Sequence, residues 1–171
     1  MQSLNQNILA TIVVALNAPT KLVMTKTVFN YQFIYYSSPL SKIMKKQRLF
    51  LAACENNEVD VVRLLLHYVD PSCEENRAII WASENGHLEV VKLLLGNEKT
   101  NPADLNNIAI SLASHNGHLE IVRLLLADER VNPSDKYNAA IFWAEKNNHL
   151  EVVKLLLEDK RVSRTYIPSQ K

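Results

Sequence analysis

Apolar residues in this chain return in the same order at the same spacing. Leu88–Leu95, Leu119–Leu126 and Leu150–Leu157 read LEVVKLLL, LEIVRLLL and LEVVKLLL, and Val59–Leu66 reads VDVVRLLL. In Leu88–Leu95 only Glu89 and Lys92 are polar, so a helix here has one narrow solvated stripe and needs cover from several directions. A second block precedes each copy: QRLFLAACENN from Gln47, NRAIIWASENG from Asn76, NIAISLASHNG from Asn107 and NAAIFWAEKNN from Asn138. Its apolar positions, such as Ala78, Ile79 and Ala82, also fall at helical spacing and predict a helix of about nine residues. Ala53, Ala82, Ala113 and Ala144 form one column, where a small side chain lets two helices approach closely.

Between the two blocks stand Asn56-Asn57, Asn85-Gly86, Asn116-Gly117 and Asn147-Asn148. Gly, and next Asn, sits most cheaply in the left-handed conformation that ends a helix, so each unit is predicted as helix, tight turn, helix. Pro71, Pro102 and Pro133 follow one another at intervals of 31 residues. Proline cannot continue a helix and biases the residue before it toward extended backbone, which predicts projecting connector loops. A fixed period of this kind marks a solenoid. The expected fold is therefore all-α, a solenoid of four stacked helix-turn-helix repeats with short connectors. The helix pairs are expected at about 47–66, 76–95, 107–126 and 138–157 within a repeat domain over 47–162. Residues 1–46 do not match the repeat and could be a divergent cap, a short independent element or a poorly ordered segment; residues 163–171 read as a tail that starts a fifth connector.

In this register the chain resembles the ankyrin repeat family. Gly86-His87-Leu88-Glu89-Val90-Val91 and Gly117-His118-Leu119-Glu120-Ile121-Val122 match the family's Gly-His turn and second helix. The period is 31, against a usual family value of about 33, and the deficit falls in the connectors, which predicts short or reshaped fingers. The family's Thr-Pro-Leu-His segment is replaced by Arg77-Ala78-Ile79-Ile80 and its counterparts. Asn76, Asn107 and Asn138 stand one position earlier and are expected to take over helix capping.

Composition excludes more than it assigns. The 171 residues are 47% hydrophobic and 22% charged with a formal net charge of +1, so no global field draws the molecule to nucleic acid or anionic lipid. A basic cluster at Lys42, Lys45, Lys46 and Arg48 reads as the solvated first turn of a helix in preference to an import signal or phosphate patch. The longest apolar stretch, Ile8 to Leu16, is about half of the roughly 20 residues a membrane span needs, and no Lys or Arg precedes it as a signal peptide would require. Two cysteines are too few for a disulfide framework, which points to an intracellular, cytoplasmic setting. His87, His118 and His149 share one repeat position and should be strung along the stack, not converged on a metal. Cys54 stands in the column of Ser83, Ser114 and Glu145 and reads as a packing residue, not a nucleophile. Trp81 and Trp143 align with Leu112 at a position that the resemblance implies is buried, and they are expected in the core. No phosphate-binding loop, GxSxG or HExxH pattern is present.

The function expected is that of a noncatalytic, monomeric protein-protein interaction module with a concave repeat surface, needing no cofactor or metal. A regulatory or adaptor subunit that binds an enzyme is the alternative. By the resemblance, partner contacts fall on the connector fingers and on the variable positions before each Gly-His. These are Glu55, Glu84, Asn85, His115, Asn116, Lys146 and Asn147.

Overall fold

The computed structural model describes residues 42–163, with side chains from Lys46 onward. The readings made for the segment before Lys42 and the tail after Ser163 lie outside the described residues. The chain divides into two compact units, with the boundary in sequence between Asp70 and Pro71. Among the described residues every regular element is helical.

In the first unit, α1 (Lys42–Glu55) and α2 (Val59–Leu65) form one antiparallel pair. The helix begins at Lys42 and not at Gln47, so the basic cluster lies on it, and the Lys46 ammonium sits 5.4 Å from the Tyr68 ring centre. Phe50, Ala53, Cys54, Val62 and Leu65 are fully buried.

The second unit contains three further pairs. They are α3 (Cys73–Glu84) with α4 (Leu88–Leu95), α5 (Asp104–His115) with α6 (Leu119–Ala127), and α7 (Asp135–Lys146) with α8 (Leu150–Glu158), followed by a short α9 (Lys160–Ser163). First helices pack on first helices, α3 on α5 on α7, and second helices on second helices, α4 on α6 on α8. The core lies between these two layers. Ala78, Ile79 and Ala82 of α3 are buried, as are Val90, Val91 and Leu94 of α4, and the same columns are buried in α5 and α6. Burying a Val or Leu side chain contributes roughly 1.5–3 kcal/mol, so these columns are the main source of stability. Glu89 with Lys92 and Glu151 with Lys154 pair at 2.7 and 2.9 Å on the solvated stripe. Such exposed pairs contribute only about 0.2–0.5 kcal/mol each.

Each first helix ends as its sequence predicts. Gly86 and Gly117 have φ of +77° and +74°, and Asn57 and Asn148 take 59° and 60° at the equivalent corners. The His87, His118 and His149 amides donate to the carbonyls of Ala82, Ala113 and Ala144, all at 2.9 Å, closing a six-residue Schellman-type turn.

The entry to each first helix of the second unit differs from expectation. Glu74–Asn76, Leu105–Asn107 and Lys136–Asn138 all lie in the left-handed region, with φ between 46° and 63°, so one left-handed turn precedes the right-handed helix. The turn is closed by the amides of Asn76, Asn107 and Asn138, which donate to Ser72, Ala103 and Ser134. Asn76 and Asn107 therefore do not cap their own helices. Their side chains cross to the next repeat: Asn76 Nδ2 donates to Asp104 at 2.8 Å while its Oδ1 accepts from the Asn101 amide at 2.7 Å. Asn107 repeats the pattern with Asp135 at 2.9 Å and the Asn132 amide at 2.7 Å. In the left-handed conformation the side chain is turned away from the helix that follows and toward the neighbouring connector.

The connectors are also less projecting than proline alone suggests. Pro102 and Pro133 are buried, together with Thr100 and Val131. Asn97, Asp128 and Asp159 each accept a hydrogen bond from the amide two residues on, an Asx-turn repeated after α4, α6 and α8. Two of these turns carry a further tie. Arg130 grips Asp128 through Nε and Nη2 at 2.9 and 2.6 Å and donates Nη1 to the Thr100 carbonyl of the preceding connector at 2.6 Å. Arg161 grips Asp159 with the same geometry and reaches the Val131 and Leu126 carbonyls at 2.7 and 3.1 Å.

The guanidinium hydrogen bonds hold the Asp128 and Asp159 carboxyls below the ordinary value, with burial opposing, and raise the two arginines. A depressed folded-state carboxyl stabilises the fold above its unfolded value of about 3.9, and that contribution is lost as pH falls through the folded value. Asp159→Asn is therefore expected to lower the urea midpoint by a constant amount between pH 5 and 7. The difference from the parent should shrink below about pH 4.

Candidate functional site

The first-helix layer of the second unit carries a groove of about 380 Å³. Its α3 wall ends in Glu84. Helix α5 contributes Ile108, Ser111, Leu112 and His115, with Asn116 just beyond its end, and α7 contributes Lys136, Ala139 and Trp143. Because α5 and α7 lie side by side, residues three and four apart on each helix face the same trough.

The Trp143 indole is fixed from three sides. His115 and Phe142 meet it edge-on, each with ring centres 5.2 Å apart, and the Lys146 ammonium stands 4.7 Å from its centre. Trp81, one layer back, is held in a similar way with the Arg77 guanidinium 5.3 Å from its ring. Both tryptophans were expected in the core, but they are half-buried on the first-helix face. The second helices cover the opposite side of α3 and α7, where Ala82 and Ala144 leave no room for an indole.

Of the seven residues singled out in the sequence, Glu84, His115 and Asn116 share this groove and Lys146 stands over its Trp143 floor. Asn85 caps its own helix, donating Nδ2 to the Trp81 carbonyl at 2.9 Å, and Glu55 ends α1 in the first unit. The histidines and asparagines at the turns bond across repeats. Asn116 Nδ2 and His118 Nε2 meet the Glu84 carbonyl at 2.8 and 2.9 Å. Asn147 Nδ2 and His149 Nε2 meet the His115 carbonyl at 3.1 and 2.9 Å. They satisfy carbonyls that a helix end leaves without partners. Asn147 Nδ2 also lies 3.0 Å from His115 Nδ1, so His115 has a positioning role as well as an exposed edge.

Lys136 was not foreseen. It lies in the left-handed turn, whose exposed residues change from Glu74-Glu75 to Leu105-Asn106 to Lys136-Tyr137 on one repeated backbone. Tyr137 is fully exposed. The sequence signal available was variability next to the constant Asn76, Asn107 and Asn138, but the direction of those side chains depends on the left-handed turn.

The repeated pairs, the Gly-His corners and the alternating layers agree with two matches to a family model of ankyrin repeats (3 copies), over residues 34–108 and 97–165. The chain belongs to the ankyrin repeat family. Ankyrin repeats are in general protein-protein interaction modules and typically noncatalytic. Among curated proteins none matches this sequence. The ankyrin layers here contain no group of three or more His, Cys, Asp or Glu side chains able to hold a metal ion among the described residues. No described helix is long and apolar enough to cross a membrane.

Proposed function

We propose that this ankyrin protein is a noncatalytic capture module that holds another protein on its first-helix face, centred on the groove between α5 and α7. One observation carries the reading: the groove joins Trp143, packed against His115 and Phe142, to side chains that change from repeat to repeat. The bonds that join the repeats are constant, and they lie beside the groove in the turns and connectors. A face built this way offers an aromatic anchor with a polar rim, the composition of binding hot spots.

The reading gives the two sides of one repeat opposite behaviour. With the photoreactive residue p-benzoylphenylalanine in place of Phe142, which is exposed and meets the Trp143 ring edge-on, irradiation in an extract of the source organism should attach a discrete protein. The same residue in place of Lys154, on the second-helix side, should attach little.

A further inference from the structure

We propose that the groove selects a peptide segment with one bulky apolar side chain flanked by a carboxylate, the carboxylate lying toward α7; this rests on the protein-capture reading above. The floor is apolar, with Ile108, Leu112 and Ala139 beside the Trp143 indole, and its volume of about 380 Å³ has room for a bulky side chain. Several charges elsewhere in the unit are paired. On the second-helix side Lys92, Arg123 and Lys154 each face a glutamate three residues earlier, and on α3 Arg77 is paired with Glu74 at 3.1 Å. Arg130 and Arg161 are gripped by Asp128 and Asp159.

Lys136 in the groove wall and Lys146 over the Trp143 ring have no carboxylate partner among the described residues. Both belong to α7, and both are exposed. Facing them across the trough, Glu84 is without a cationic partner as well. An acidic group is therefore attracted at the α7 wall and repelled at the α3 wall. The groove carries a direction, and the bound segment should place its carboxylate on the lysine side of its apolar anchor. Lysine ammonium groups against a carboxylate at a half-exposed rim act mainly through association and specificity, and the effect weakens with salt.

The test is selection of peptides from a random display library on the full chain, followed by affinity measurements with the selected peptides. The parent should return peptides with an aromatic or leucine residue and an Asp or Glu within about three positions. The double variant Lys136→Glu/Lys146→Glu, whose thermal midpoint should equal the parent's, should bind those peptides at least about tenfold more weakly and select Lys or Arg instead. Ser111→Trp, which fills the trough from its own wall, should abolish binding. Peptides that are lost on Ser111→Trp, yet show no acidic preference or ignore the double charge reversal, overturn the charge assignment and leave the capture reading standing. Peptides indifferent to Ser111→Trp, or no peptides at all, overturn both.

Discussion

Asn107→Ala is expected to reduce the unfolding free energy by about 3–5 kcal/mol, measured by urea denaturation at neutral pH. Two terms add. The side chain is buried and bridges two partners in the next repeat, donating to Asp135 and accepting from the Asn132 amide. Leaving each partner without its bond costs roughly 1–3 kcal/mol. Asn107 also closes a turn of three left-handed residues, with its own φ at 58°. Asparagine tolerates that region better than alanine, a difference of roughly 1 kcal/mol. Asn107→Gly separates the terms: it restores backbone freedom without the side chain and should recover the smaller part. Asn107→Asp keeps the acceptor for Asn132 but sets a second carboxylate against Asp135, so its deficit should diminish as the pH is lowered toward 4. A loss below about 1 kcal/mol in the alanine variant would show that the bridge is not structural.

Gly117→Ala is expected to cost about 2–4 kcal/mol by the same measurement. Its φ of +74° excludes most side chains, and an added Cβ would lie 2.5 Å from Nδ1 and 2.7 Å from Cε1 of His149. The imidazole would have to leave, and with it the bond from His149 Nε2 to the His115 carbonyl. Gly96→Ala is the matched control. Its backbone is right-handed at φ −70°, and the new Cβ would make only ordinary contacts at 3.5 Å and beyond. That variant should be neutral or more stable by about 0.4–1 kcal/mol. In a His149→Ala background the clash is gone, so Gly117→Ala should cost less there than in the parent. This non-additivity is the signature of direct contact.

The helix pairs were legible because their information is local. The three-four spacing in LEVVKLLL fixes which side of a helix is buried, and Asn-Gly or Asn-Asn fixes the corner, since few other residues accept its backbone angles. Column alignment also placed Ala53, Ala82, Ala113 and Ala144, all fully buried. The left-handed turn was not legible. Glu74-Glu75, Leu105-Asn106 and Lys136-Tyr137 have no common preference for that conformation, and it is associated with bonds from Asn76 and Asn107 to partners 25 and 28 residues away. The same holds for the arginine ties. Asp128-Glu129-Arg130 and Asp159-Lys160-Arg161 are visible as a repeated spacing, but what each arginine reaches is a carbonyl in the preceding repeat.

The site was read in part for a related reason. Repeat variability pointed to Glu84, His115 and Lys146, which do meet around one trough. It could not show that Asn116, Asn147 and the ring of His115 are also engaged across repeats. Nor could it show that Trp143 faces the groove, because an apolar column says that a residue is shielded but not by what. Substituting Lys136 therefore probes binding more cleanly than substituting His115, Phe142 or Lys146, which all touch the Trp143 ring.

Photo-cross-linking within the last helix pair distinguishes capture on the first-helix face from capture on the second-helix side. Both positions, 142 on α7 and 154 on α8, are exposed, so neither replacement should shift the thermal midpoint. Position 142 should yield a discrete cross-linked protein, reduced by Ser111→Trp, and position 154 at most background. Equal labelling from both positions, or labelling from 154 alone, would contradict it.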